Sequence, residues 1–279
     1  MSFTVVAVVL CAAFFHAAWN AILKSRGDRL SSVTQMSMLL ALLAAPVLLF
    51  VPLPNWECWP YLAASVVLHT GYKLFLVRAY AAGDMSQVYP IARGTAPFIV
   101  AIVTWLLIGE TLGETGYVGL ITICTGLVAL ALFGQKSVTA SGQAVGFALC
   151  TACFIAAYST VDGIGARNAG SVHGYAFLLF VLEALPMIPI AISRRGFQAV
   201  IRPAAGWGPA IASALLCLLA FWAVIWAMTE APIAAVAALR ETSVIFGVAI
   251  SALFLREGSF KTRAPAAAFV AAGAVLLQL

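Results

Sequence analysis

The sequence predicts an all-α membrane protein of about ten transmembrane helices, built as two inverted five-helix repeats. Three observations lead there. Of 279 residues, 63% are hydrophobic and only 9% are charged, where a soluble domain carries about 25% charged residues. The charges fall between long apolar stretches, not along one face of amphipathic segments, which is the pattern of a chain threading a bilayer. The chain also resembles itself at a fixed offset.

A span needs roughly 20 apolar residues. Apolar runs between polar or Pro/Gly breaks place spans at 3–23, 33–51, 60–80, 87–108, 115–133, 143–161, 173–192, 208–228, 232–255 and 264–279. The first run, Phe3 to Leu23, has no basic segment before it and no small-residue cleavage site before the next helix, so it reads as a retained span. Connections are short; the longest is the basic stretch from Ser193 to Gly206, and none is long enough for a separate soluble domain. The cysteines at 11, 58, 124, 150, 153 and 217 lie almost entirely in apolar segments, which argues against a disulfide framework. Cys150 and Cys153 form a C-x-x-C on a hydrophobic helix with no second pair; they read as small packing residues, and no cofactor or metal is expected.

Orientation follows from the basic residues. The loops after the first, fifth, seventh and ninth spans hold ten of them (Lys24, Arg26, Arg29, Lys136, Arg194, Arg195, Arg202, Arg256, Lys261 and Arg263), while the intervening loops hold essentially Arg167 alone. This places those loops in the cytoplasm and both termini outside. A shift of 147 residues without a gap lays Arg93 on Arg240, Glu110 on Glu257, Gly126 on Gly273, Val128 on Val275, Leu130 on Leu277 and Phe75 on Trp222. A looser match, offset by 139, pairs Trp19 with Tyr158. The repeats are residues 1–137 and 138–279 of one integrated transmembrane domain. With an odd number of spans in each half, the second copy is inverted. Inverted repeats mark secondary transporters whose halves rock about a site near the midplane.

These residues resemble the EamA family of the drug/metabolite transporter superfamily. The most specific pieces are the run from Tyr89 to Gly94 with Ile108-Gly109-Glu110, and Leu239-Arg240-Glu241 with Leu255-Arg256-Glu257. Arg256 departs from the Gly that the family places before that Glu. The resemblance implies a basket in which the third, fourth, eighth and ninth spans, with the first and sixth, line a cavity while the fifth and tenth are peripheral. It also implies export or exchange of small metabolites. The Tyr89 run is similar to a branch linked with phosphonate metabolism.

Charges inside a span cost roughly 2.5–3.5 kcal/mol each on the insertion scale and so face a cavity or a partner. Arg93 and Arg240, about two turns into the fourth and ninth spans, are expected to clamp an anionic group, since guanidinium geometry suits carboxylate or phosphate. The competing reading is that each snorkels to its nearer interface. Glu241, Arg240's neighbour, needs a group on another helix, and Glu183 in the seventh span needs a partner or a proton; both are candidates for proton coupling. His69 and Lys73 share a face of the third span, with Tyr72 beside them. His16, Trp19 and Asn20 gather on one side of the first span, although Trp19 also suits an interface anchor. Tyr89 lies one turn before Arg93, and Tyr158 and Trp222 enter the candidate site through the repeat. Glu110 and Glu257 at helix C-termini oppose the helix dipole, so each requires a cation or a loop amide.

The expected function is secondary-active export or exchange of a small anionic or zwitterionic metabolite by alternating access. The alternative is a flippase for a phosphorylated lipid-linked headgroup, which would use the same arginines. No H-E-x-x-H, G-x-S-x-G or clustered acidic metal motif suggests an enzyme. The expected partners are the small-molecule substrate, the lipid bilayer and a coupling proton, with no nucleic acid. The protein is expected in the inner membrane as a monomer or homodimer.

Overall fold

The structure is a computed structural model that describes residues 1–23, 28–83, 85–133, 141–203, 206–250 and 260–279. Glu257 and Arg256 lie outside the described residues. Every regular element among those described is helical. The first half holds α1 (Phe3–Leu23), α2 (Arg29–Ala44), α3 (Trp59–Ala82), α4 (Met85–Ile108) and α5 (Glu114–Phe133). The second holds α6 (Gly142–Asn168), α7 (Val172–Leu182), α8 (Ala184–Arg195), the short α9 (Phe197–Ile201), α10 (Trp207–Glu230), α11 (Ile233–Arg240), α12 (Ser243–Ile250) and α13 (Phe260–Leu276). Among the described residues, seven helical segments are long and apolar enough to cross a membrane: the rods of α1, α2, α4, α6, α7 with α8, α10, and α11 with α12.

Local chemistry sets the ends. Asp28 caps α2, its carboxylate accepting from the Ser31 amide at 3.0 Å, while Arg195 at the end of α8 donates to its other oxygen at 3.0 Å. Burial pushes the Asp28 carboxyl up, but the Ser31 amide, the Ser31 hydroxyl and Arg195 together hold it below its usual range. Ser141 caps α6 the same way through the Ala144 amide. Helix α4 continues through both Pro90 and Pro97.

Two spans expected as continuous rods are broken, and each break carries an acid. The seventh separates into α7 and α8 at Glu183, beside Pro186, which has no amide to give the Leu182 carbonyl. The ninth separates into α11 and α12 at Glu241 and Thr242, where no proline stands. The sixth span runs seven residues past its expected end at 161 and so takes in Asp162 and Arg167. It can do so because Asp162 is surrounded by donors, described below.

The packing exchanges under the sequence shift. Helix α1 lies along α10, and its counterpart α6 lies along α3, the counterpart of α10. Likewise α4 packs on α6, while α11 and α12 pack on α1. Helices α5 and α13 cross each other at the periphery. A Cβ on Gly119 would stand 2.7 Å from the Gly273 carbonyl oxygen, and one on Gly273 would stand 2.7 Å from that of Gly119, so two backbones meet where only glycine fits. At the end nearest the N-terminus, Val5, Val9, Val100, Ile123, Met228 and Leu239 belong to one apolar core. Toward the other end the helices part around a cavity.

Candidate functional site

The cavity has a volume of about 120 Å³, room for a small metabolite or several waters. It opens beside the N-terminus of α2, where Arg29 and Ser32 stand, and the C-terminus of α3, where Tyr80 stands. Its wall holds His16, Trp19 and Asn20 from α1, and His69, Tyr72 and Lys73 from α3. Tyr89 from α4, Glu183 from the α7–α8 break, and Cys217 and Phe221 from α10 also line it, with Ser37 from α2 and Phe180 from α7. The wall therefore differs from the basket that the family resemblance implies. Helices α2 and α7 take part in it, whereas α6 and α11 stand behind, with Asp162 of α6 held by side chains of α3 and α7 and Arg240 of α11 facing a separate small void.

Two clusters of buried charge adjoin this space. The first joins Lys73, Glu183, His69 and Asp162. Lys73 Nζ donates to Ser37 Oγ at 2.7 Å and lies 3.2 Å from Glu183 Oε2. His69 presents Nδ1 to Glu183 Oε2 at 3.5 Å and Nε2 to Asp162 Oδ2 at 3.1 Å. Asp162 Oδ1 also accepts from the hydroxyls of Ser65 and Tyr175. Tyr158 stacks on the His69 ring, with centroids 4.1 Å apart, and meets Tyr72 edge-on.

The second cluster is the arginine pair. Arg93 and Arg240 are buried beneath the cavity, not projecting into it as expected from the sequence. The reason is the carboxylate between them. Arg93 Nε donates to Glu241 Oε2 at 2.8 Å, and Arg240 Nε lies 3.9 Å from Glu241 Oε1. Two cations thus share one anion. Arg93 Nη2 and Arg240 Nε have no hydrogen-bond partner among the described residues. Arg240 faces a small void with His16, Ala220 and Phe221, and both His16 and Phe221 also line the cavity above. Tyr89 places its ring under the Arg93 guanidinium and its hydroxyl 3.4 Å from His16 Nε2.

The other predicted residues fall in varied places. The Asn20 amide donates back to the His16 carbonyl at 2.8 Å, which fixes that end of α1. Trp19 sits edge-on to His16 on the cavity wall. Trp222 points elsewhere: its indole N–H donates to His173 Nδ1 at 3.0 Å and its ring packs near Phe177, away from the cavity. Asp162 escaped sequence reasoning because the sixth span was ended one residue before it. An isolated acid just past an apolar run, with His69 and Lys73 unassigned elsewhere, was the available signal.

The far end is closed by polar ties. Arg167 at the end of α6 donates to Glu110 Oε1 at 2.9 Å and to the carbonyls of Met228 and Ala231. Glu110 Oε2 accepts from the Ile233 amide at 2.7 Å, at the start of α11. Glu110 thus receives both a cation and an amide, which offsets its place at a helix C-terminus. Among the described residues no group of three or more His, Cys, Asp or Glu side chains is placed to hold a metal ion.

Comparison with known proteins adds the following. The profile of the EamA-like transporter family matches the chain in two segments, residues 3–132 and 143–279. No curated protein sequence matches it. One crystal structure of a protein, 14% identical, superposes with a TM-score of 0.80 over 99% of this chain and 96% of its own.

Proposed function

The chain belongs to the EamA-like transporter family, and from that premise we propose that it is a secondary transporter of a small anionic or zwitterionic metabolite, working by alternating access. In this reading ten spans form two inverted repeats, 1–137 and 138–279, in the inner membrane, with the termini outside and the basic loops in the cytoplasm. The exchange of packing partners between the halves supports the repeat. The observation that carries the substrate class is the sharing of Glu241 by Arg93 and Arg240. Two buried guanidinium groups with one carboxylate leave a net positive charge and free N–H groups beside the cavity, and a low-dielectric site of that kind favours an incoming anion.

Glu241 then acts as the resident anion. A substrate carboxylate, phosphate or phosphonate takes over one guanidinium when it arrives, and Glu241 reclaims it when the substrate leaves. Lys73 and Glu183, 3.2 Å apart on the wall, offer opposite charges to a zwitterion. Movement of charge into this core is what would part the ties at the far end.

The test is ligand-induced thermal stabilisation of the purified protein by inorganic phosphate, methylphosphonate, glycine and short-chain phosphatidic acid. A soluble anion at about 100 times its dissociation constant should add about 2.7 kcal/mol, a rise of roughly 5 °C or more in Tm. Arg93→Lys and Arg240→Lys, which keep the charge but lose the planar fork, should abolish that rise while remaining folded. Stabilisation by the lipid phosphate alone would replace this reading with the flippase. An anion response unchanged in both lysine variants would overturn it.

A further inference from the structure

The row Asp162, His69, Glu183 and Lys73 reaches beyond the Lys73–Glu183 pair that faces the substrate, and its geometry has its own logic. Both nitrogens of His69 face carboxylate oxygens, at 3.1 Å and 3.5 Å. A neutral imidazole carries one N–H, enough for the hydrogen bond to Asp162; only the doubly protonated ring also pairs its charge with Glu183 at 3.5 Å. The two carboxylates are already committed as acceptors. Asp162 takes the hydroxyls of Ser65 and Tyr175, and Glu183 takes the Lys73 ammonium. The group left to gain or lose a proton is the ring between them.

The charges agree. With His69 protonated, two carboxylates and two cations sum to zero. Without that proton the row carries one net negative charge inside the membrane, where an uncompensated charge is costly. The proton also has a route: His69, Lys73 and Glu183 line the open cavity, while Asp162 lies behind the ring, buried toward the closed end.

We propose that His69 is the proton-binding site that couples this transporter to the proton gradient, separate from the arginine pair that takes the substrate anion. This rests on the transporter reading. Tyr158 links the two sites: its ring stacks on His69, and it lies within electrostatic reach of Arg93 and Arg240. The groups facing His69 are Asp162 and Tyr158 from α6, Tyr175 from α7, Glu183 from the α7–α8 break, and Lys73 and Tyr72 from its own helix. From α10, Phe221 approaches the ring and Cys217 approaches Glu183. Loss of the His69 proton releases Glu183 from the ring and leaves Lys73 as its cation, which alters the contact of α3 with the α7–α8 break at the cavity wall.

The test needs no substrate, so it stands or falls apart from the anion assay. Full-length protein labelled with ¹⁵N-histidine in lipid nanodiscs gives signals from three histidines, assigned with His16→Gln and His173→Gln. His69 should pass between doubly protonated and neutral rings on titration. At a fixed pH, Glu183→Gln or Asp162→Asn should lower the ratio of doubly protonated to neutral His69 about tenfold. Two variants are used so that one may misfold without loss of the test. In a cysteine-free background, spin labels on Ser32→Cys and Ala81→Cys at the cavity mouth should show a pH-dependent distance that becomes pH-independent in His69→Gln. A His69 protonation ratio unmoved by both acid variants, or a mouth distance whose pH response survives His69→Gln, would overturn the proposal.

Discussion

At the scale of single residues, the protein is organised by how few charges it buries and how each is matched. Arg93, Arg240 and Glu241 are each at most 4% exposed, a depth at which removing one partner of an ion pair costs about 3–5 kcal/mol. Glu241→Gln keeps the shape of the side chain and removes the resident anion. The expected outcome is tighter binding of a soluble anion, by about tenfold, since the substrate no longer competes with a charge-assisted hydrogen bond; isothermal titration checks it. The sequence displayed most of these residues, because a charge in an apolar run stands out without any structure. It did not display how they are paired. That Glu241 would reach another helix followed from helical geometry, but only the fold shows it reaching Arg93. Asp162 was hidden because a polar residue near the end of an apolar run looks like a boundary until its donors are seen.

At the scale of elements, the two acids sit where rods break. The breaks at Glu183 and Glu241 place an acid beside local backbone groups that no longer belong to a continuous helix, the arrangement by which discontinuous spans build ion and substrate sites. The first break is foreshadowed by Pro186 and Pro189; the second has no proline and no glycine at the break, so periodicity reads through it. Helix positions were otherwise legible to within several residues, since apolar runs between polar breaks mark them. The repeat match of Gly126 with Gly273 gave no sign of the α5–α13 crossing, where Gly119 meets Gly273 and Gly126 packs on Ala266 and Phe269. Gly119→Val puts a side chain against the Gly273 carbonyl. It should destabilise the protein by about 1–3 kcal/mol, seen as a lower Tm, with anion binding in surviving protein unchanged because the crossing is far from the cavity.

At the scale of the whole molecule, one end is open and the other tied shut. The open end carries Arg29, Asp28 and Arg195; the closed end carries the Glu110–Arg167 tie and the apolar core of α1, α10 and α11. A repeat was readable from the 147-residue shift, and the family profile matches the chain in two segments; which end would be open was not readable, since a repeat makes both ends equivalent in principle. The participation of α2 and α7 in the wall has the same origin: it depends on which ends of the helices have parted. Alternation between two such states is the central claim, and Cys217, midway along α10 on the cavity wall, reports it directly. With Cys217 as the sole cysteine, a membrane-impermeant thiol reagent should label it from the cytoplasmic face of oriented vesicles, and Arg167→Ala, which unties the far end, should shift labelling to the opposite face. Labelling from both faces at equal rates in the parent, or a face preference unmoved by Arg167→Ala, would contradict the account.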